Sequence, residues 1–172
     1  KKKYGLTVSW IHFPLHPETP DSGLSLEELF KGRGYDIDEM KQRMSSLMTE
    51  EKLPYGNRSH TYNSRLAQEL SKWGESFPEG EELNLKLFEA YFVEGYNLAE
   101  PEVLLDVTQA ARLSREVAEG VIRERLFRDA VNADWQRAHE FGVTGVPTFV
   151  SGNRGFVGAQ PYEVLEQLIQ AK

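Results

Sequence analysis

A proline at the mouth of a strand constrains this chain more than any other feature. In Gly142-Val143-Thr144-Gly145-Val146-Pro147-Thr148-Phe149-Val150, a two-glycine turn signal leads into a short apolar run. Proline has no N–H to give to a ladder, so it is confined to the first residue of a strand, an edge or a bend. Its ring also pushes the β-branched Val146 to extended geometry. On local chemistry the segment is a buried strand that begins on a proline. A cis Val146–Pro147 bond would be the uncommon state, since roughly 5–6% of X–Pro bonds in folded proteins are cis.

The hydrophobic period changes at this point. Ahead of it, beyond one early strand, the pattern is helical. Tyr4 to Phe13 reads as that strand, because Leu6, Val8 and Trp10 alternate with Gly5, Thr7 and Ser9 before Pro14 and Pro17 stop it. Ser25-Leu26-Glu27-Glu28 is a capping box that predicts a short helix, ended by Gly32 and Gly34. Asp36 caps a second helix whose one face holds Ile37, Met40, Met44, Leu47 and Met48. Three methionines on one face can serve as an adaptable ligand surface, but the expectation is an ordinary core face.

Asn63-Ser64 opens a helix striped with Leu66, Ala67, Leu70 and Trp73, and Leu83 to Phe92 forms the next. Pro101 sits in a first turn, where its missing N–H costs nothing. Leu113-Ser114 breaks that helix from one carrying Val117, Val121 and Ile122, and Arg128 to Phe141 is the last long helix of the block. After Gly142, Thr148 to Ser151 and Arg154 to Val157 read as two strands joined at Gly152-Asn153, followed by a terminal helix from Gln160-Pro161.

Composition narrows the functions open to the chain. Its 172 residues fit one domain, or one with an insertion, and 40% hydrophobic with 27% charged residues is an ordinary globular balance. A formal net charge of −7 argues against nucleic acid as partner, since phosphate binding needs a basic surface. No apolar run approaches the roughly 20 residues that span a bilayer, and the start is too short and too polar for a signal peptide's apolar region. With no cysteine, these residues can form no disulfide, thiolate metal site or thiol nucleophile. His12 and His16 are four apart, but Pro14 between them keeps them off one helix face, and His60 and His139 stand singly. No metal site is expected from them. Neither a Gly-x-Ser-x-Gly elbow nor a phosphate-binding glycine loop occurs. The pairs Glu27-Glu28, Glu50-Glu51 and Glu81-Glu82 read as solvated helix ends.

Several segments together resemble the DsbA family of thioredoxin-fold proteins, most closely the FrnE-like branch and its relatives, the 2-hydroxychromene-2-carboxylate isomerases. They are Gly142 to Val150 with Gly155-Phe156-Val157-Gly158-Ala159-Gln160-Pro161, Asn63-Ser64-Arg65-Leu66-Ala67, and Leu87-Phe88-Glu89-Ala90-Tyr91-Phe92-Val93-Glu94-Gly95. The strand and loop through Phe13-Pro14-Leu15 resemble that branch's second strand. The likeness covers nearly the whole chain. It implies an α/β, thioredoxin-like fold of DsbA type over residues 1–172. Residues 25–141 would form a large helical insertion, and residues 142–172 the cis-proline loop, hairpin and helix. The first βα unit, of the order of 30 residues, would be absent from this chain.

The resemblance also implies a function, thiol–disulfide oxidoreduction, in which Cys-X-X-Cys faces a cis-proline. Pro147 would then be cis, and Val146 would offer its backbone to a peptide or thiol substrate. Thr144 and Gly145 would shape that loop, with His12 and Phe13 ending the neighbouring strand. No catalytic residue is expected within the chain, because the cysteines are missing. Two alternatives remain. One is a glutathione-dependent isomerase or transferase of the same superfamily; apart from that alternative's glutathione, no cofactor is expected. The other is a non-catalytic module for peptide binding or for pairing two copies by their sheet edges. A cytoplasmic location without membrane contact is the accompanying expectation.

Overall fold

The computed structural model describes residues 2–170. The elements are β1 (Leu24–Ser25), α1 (Leu26–Phe30), α2 (Ile37–Glu50), β2 (His60–Thr61), α3 (Arg65–Gly74), α4 (Gly80–Phe92), α5 (Pro101–Ala110), α6 (Arg115–Glu124), α7 (Arg128–Glu140), β3 (Thr148–Ser151), β4 (Arg154–Val157) and α8 (Tyr162–Gln170). A short 3-10 turn covers Lys2–Tyr4. Two compact units share the chain: His16–Ala130 forms one, and Lys1–Leu15 with Val131–Lys172 forms the other.

Local chemistry sets most boundaries. Ser25 accepts the Glu28 N–H while the Glu28 carboxylate accepts the Ser25 N–H, a complete capping box. Asp36 caps α2 through the Glu39 N–H at 3.0 Å, and Ser114 caps α6 through Val117. Helix α3 is capped less directly: Asn63 Oδ1 accepts the Arg65 N–H, and Asn63 Nδ2 donates to the Thr19 carbonyl.

The core of the first unit is helical. Helix α3 packs on α4 and α6, and α5 packs on α4 and α6. Leu70, Leu83, Leu104, Ala111 and Ala118 are fully buried between these helices. Close backbone approach is built in at Gly80, where a Cβ would lie 2.3 Å from the Gly74 carbonyl oxygen. One buried carboxylate joins the helices. Glu69 of α3 takes the Arg65 Nε at 2.7 Å and two guanidinium nitrogens of Arg125 at 2.7 Å each, and Arg65 also donates to the Arg128 carbonyl. Burial raises the Glu69 carboxyl, but the hydrogen bonds from Arg125 and Arg65 outweigh it and hold it below the ordinary carboxylate range. Arg125 reaches this position from a left-handed C-cap, φ 54°.

In the second unit β3 and β4 form an antiparallel hairpin, with Thr148 opposite Val157 and Ser151 opposite Arg154. Helix α8 packs on β3 and buries Leu168. The N-terminal turn is pinned to α8, where the Tyr4 hydroxyl and the Lys3 ammonium both bond the Glu166 carboxylate and hold it low.

Two expectations are corrected. Gly5 to Phe13 forms no strand: among the described residues the sheets are β1-β2 and β3-β4 only. A period-2 pattern supplies alternating faces, but a strand exists only when a neighbour takes its backbone groups. No described strand pairs with this segment, and the His12 N–H goes to the Asp134 carboxylate of α7 at 3.2 Å. The apolar face of α2 is likewise no core face. No residue of α2 is buried, and Met40, Met44 and Leu47 are exposed. The pattern was correct for a helix, but the face is not sealed into a core.

Candidate functional site

The candidate loop grows out of α7. After Glu140 the chain turns with the Gly142 N–H donating to the His139 carbonyl and the Val143 N–H to that of Ala138. Gly142 has φ +66°, a conformation that side-chain-bearing residues rarely adopt. Thr144, Gly145, Val146 and Pro147 follow as one contiguous loop, and the Val146–Pro147 bond is cis. Thr148 Oγ1 donates to the Gly145 carbonyl at 2.6 Å and closes the loop on itself. The Pro147 carbonyl accepts the Gly158 N–H at 2.7 Å, which extends the ladder one step past β4. Proline's missing N–H therefore falls where the ladder ends.

This arrangement leaves one backbone position open. Among the described residues, neither the N–H nor the carbonyl of Val146 takes a hydrogen-bond partner, and the residue is 49% exposed. In the antiparallel ladder, Phe149 and Ser151 turn their backbone groups toward β4, so Thr148 and Val150 turn theirs to the outer edge. The hairpin also presents Val150 and Val157 to solvent. The loop thus ends in a short strand with apolar side chains and an edge aimed away from its partner.

Of the other sequence-predicted residues, His12 and Phe13 are half-buried on the N-terminal segment of the same unit, and Asp134 ties His12 to α7 through its backbone. Asp134 is itself buried. Among the described residues no group of three or more His, Cys, Asp or Glu is placed to hold a metal ion. No described helix is long and apolar enough to cross a membrane.

Residues 1–170 match the DSBA-like thioredoxin domain family. The chain belongs to that family. Its fold is accordingly the thioredoxin-like DsbA fold, mostly helical with few strands. A solved structure of a probable DsbA oxidoreductase from Streptomyces coelicolor superposes with a TM-score of 0.88 at 25% identity, over 97% of this chain and 76% of that one. The uncharacterized protein YwbO of Bacillus subtilis (strain 168) is 27% identical over 111 residues, which is 64% of this chain and 55% of that protein. The chain therefore spans about half the length of this curated relative. In this DsbA-like chain the loop before β3 was readable from its Gly-x-x-Gly-Val-Pro pattern. The Asp134 anchor was missed: an aspartate inside a helix gives no signal of the distant N–H that it accepts.

Proposed function

We propose that this DsbA-like chain carries the peptide-holding half of a thiol–disulfide oxidoreductase site, of the FrnE-like kind. The observation that carries the reading is the open backbone of exposed Val146, immediately ahead of a strand whose outer edge is formed by Thr148 and Val150. An extended peptide adds to such an edge by main-chain hydrogen bonds, with side-chain pockets giving modest selectivity. The redox step needs a thiolate to attack the substrate disulfide. These 172 residues hold no cysteine, so in this reading a thiol outside them performs that step. His12 and Phe13 would flank the bound peptide, and a cytoplasmic setting goes with the branch resembled.

The test is titration of an extended apolar peptide into isotope-labelled protein. The amides of Val146 and Thr148 should shift most. The same peptide N-methylated at its central residue should bind at least about fivefold more weakly, the equivalent of one backbone hydrogen bond of about 1 kcal/mol. Equal affinity for the methylated peptide, or shifts confined to the helical unit, would refute the reading.

A further inference from the structure

All three methionines of this chain lie on α2 at positions 40, 44 and 48, and with no cysteine present they are its only sulfur atoms. A spacing of four places successive thioethers on one helix face as immediate neighbours, about 5–6 Å apart at Cβ. That face is not sealed into a core. Met40 is 38% exposed and Met44 43%, Met48 is half-buried, and α2 buries no residue. The helix is nonetheless firmly started by the Asp36 cap, with Asp38 and Glu39 in its first turn. The stripe is therefore a fixed row of soft donors open to solvent.

We propose that this row is a binding site for one soft monovalent metal ion, copper(I) or its closed-shell analogue silver(I), held by a pair of thioethers that always includes Met44. Thioether sulfur is a soft ligand that selects copper(I) over hard ions such as magnesium or calcium. Methionine's three rotatable bonds let two neighbouring sulfurs converge on one ion. Sulfur sits roughly 2.3 Å from a metal such as zinc, so two sulfurs flanking one ion stand within about 5 Å of each other. Neighbours four residues apart, about 6 Å along the axis at 1.5 Å per residue, can meet that requirement. Met40 and Met48, about 12 Å apart by the same rise, cannot both ligate a single ion. The pairs Met40–Met44 and Met44–Met48 are thus alternatives, and Met44 belongs to both. Ile37 and Leu47 lie beside the row on the same helix face, half-buried and exposed respectively. Binding involves no change of oxidation state and releases no proton, because a thioether has none to lose.

The experiment uses the full chain and silver(I), with native mass spectrometry for stoichiometry and competition titration for affinity. Methionine methyl resonances report the ligands directly. One equivalent should bind, and the Met44 methyl should move with either neighbour. Met44→Leu should weaken binding at least tenfold. Met40→Leu and Met48→Leu should each cost about twofold, since one of two equivalent pairs survives. Leucine conserves volume and helix preference, so the variants keep α2 intact, which far-UV circular dichroism verifies. No binding, an unaltered affinity in Met44→Leu, or three equal losses would each overturn the proposal. Silver retained by the Met40→Leu/Met44→Leu/Met48→Leu triple variant would assign the ion to histidine instead.

Discussion

At the residue scale Glu69 carries the sharpest consequences. It is 3% exposed and holds two guanidinium groups, one from four residues away on its own helix and one, Arg125, fifty-six residues along the chain. Removing one partner of a buried pair leaves uncompensated charge behind and typically costs about 3–5 kcal/mol. Arg125 is partly exposed, so Glu69→Ala should lose about 3 kcal/mol, the low end of that range, in urea unfolding at neutral pH. The pH dependence follows from the depressed carboxyl. Its contribution is complete above the ordinary glutamate value of about 4.3 and disappears as pH falls through the lower folded value. Stability measured from pH 6 downward should therefore decline less steeply in Glu69→Gln than in the wild type. Identical slopes would show that Glu69 has no such role. Arg65 and Glu69 stand four apart on α3, the spacing at which helix neighbours meet. The Arg125 contact was not legible in the sequence, because no periodicity encodes a partner that arrives from another helix's C-cap.

The helices were legible where side chains cap them. Ser25, Asp36, Pro101 and Ser114 each announce a first turn by supplying an acceptor or by lacking a donor, and α1, α2, α5 and α6 begin at those signals. Helix α4 starts at Gly80, ahead of the Leu83 at which its apolar stripe begins. Sequence period fixes which residues share a face but not whether anything covers that face, and α2 shows the difference. Met44→Gln on α2 should change stability by less than about 0.5 kcal/mol, whereas Leu104→Ala in α5 should cost about 2–5 kcal/mol. Thermal melts of the two variants side by side check the contrast, and a large loss in Met44→Gln would mean that the face is packed in solution. Gly80→Ala should also destabilise, by roughly 1–3 kcal/mol, because its Cβ meets the Gly74 carbonyl and one helix start must shift.

For the whole molecule, two units of different construction share one chain. The His16–Ala130 unit has a continuous buried helical core, while the other rests on a two-stranded hairpin with α7 and α8. Two strands without a third are marginal in water, and protection against exchange follows local packing. Amide exchange should therefore be slowest in α3 and α5 and faster by orders of magnitude in β3 and β4. Equal protection would indicate that the hairpin edge is paired in solution. The DsbA-like fold was legible because its motifs cluster in the loop before β3 and in α4. The N-terminal segment was not legible in the same way, because alternation marks two faces without saying whether a ladder forms, and among the described residues it joins neither sheet.

The small β1–β2 ladder has a consequence for how this fold can vary in length. Leu24 faces Thr61 and Ser25 faces His60, so everything between leaves and returns through one doorway. The Leu26 N–H to Ser59 carbonyl bond latches that doorway at 2.9 Å. Extra residues placed in the exposed turn between Gly32 and Gly34 would lengthen a loop whose ends are already joined, and each doubling of loop length adds only about 0.6 kcal/mol. Beyond those glycines a Cβ would meet nothing within 4 Å. That turn is the place where an inserted tag, or a relative's additional segment, can be accommodated while α3 to α6 keep their packing.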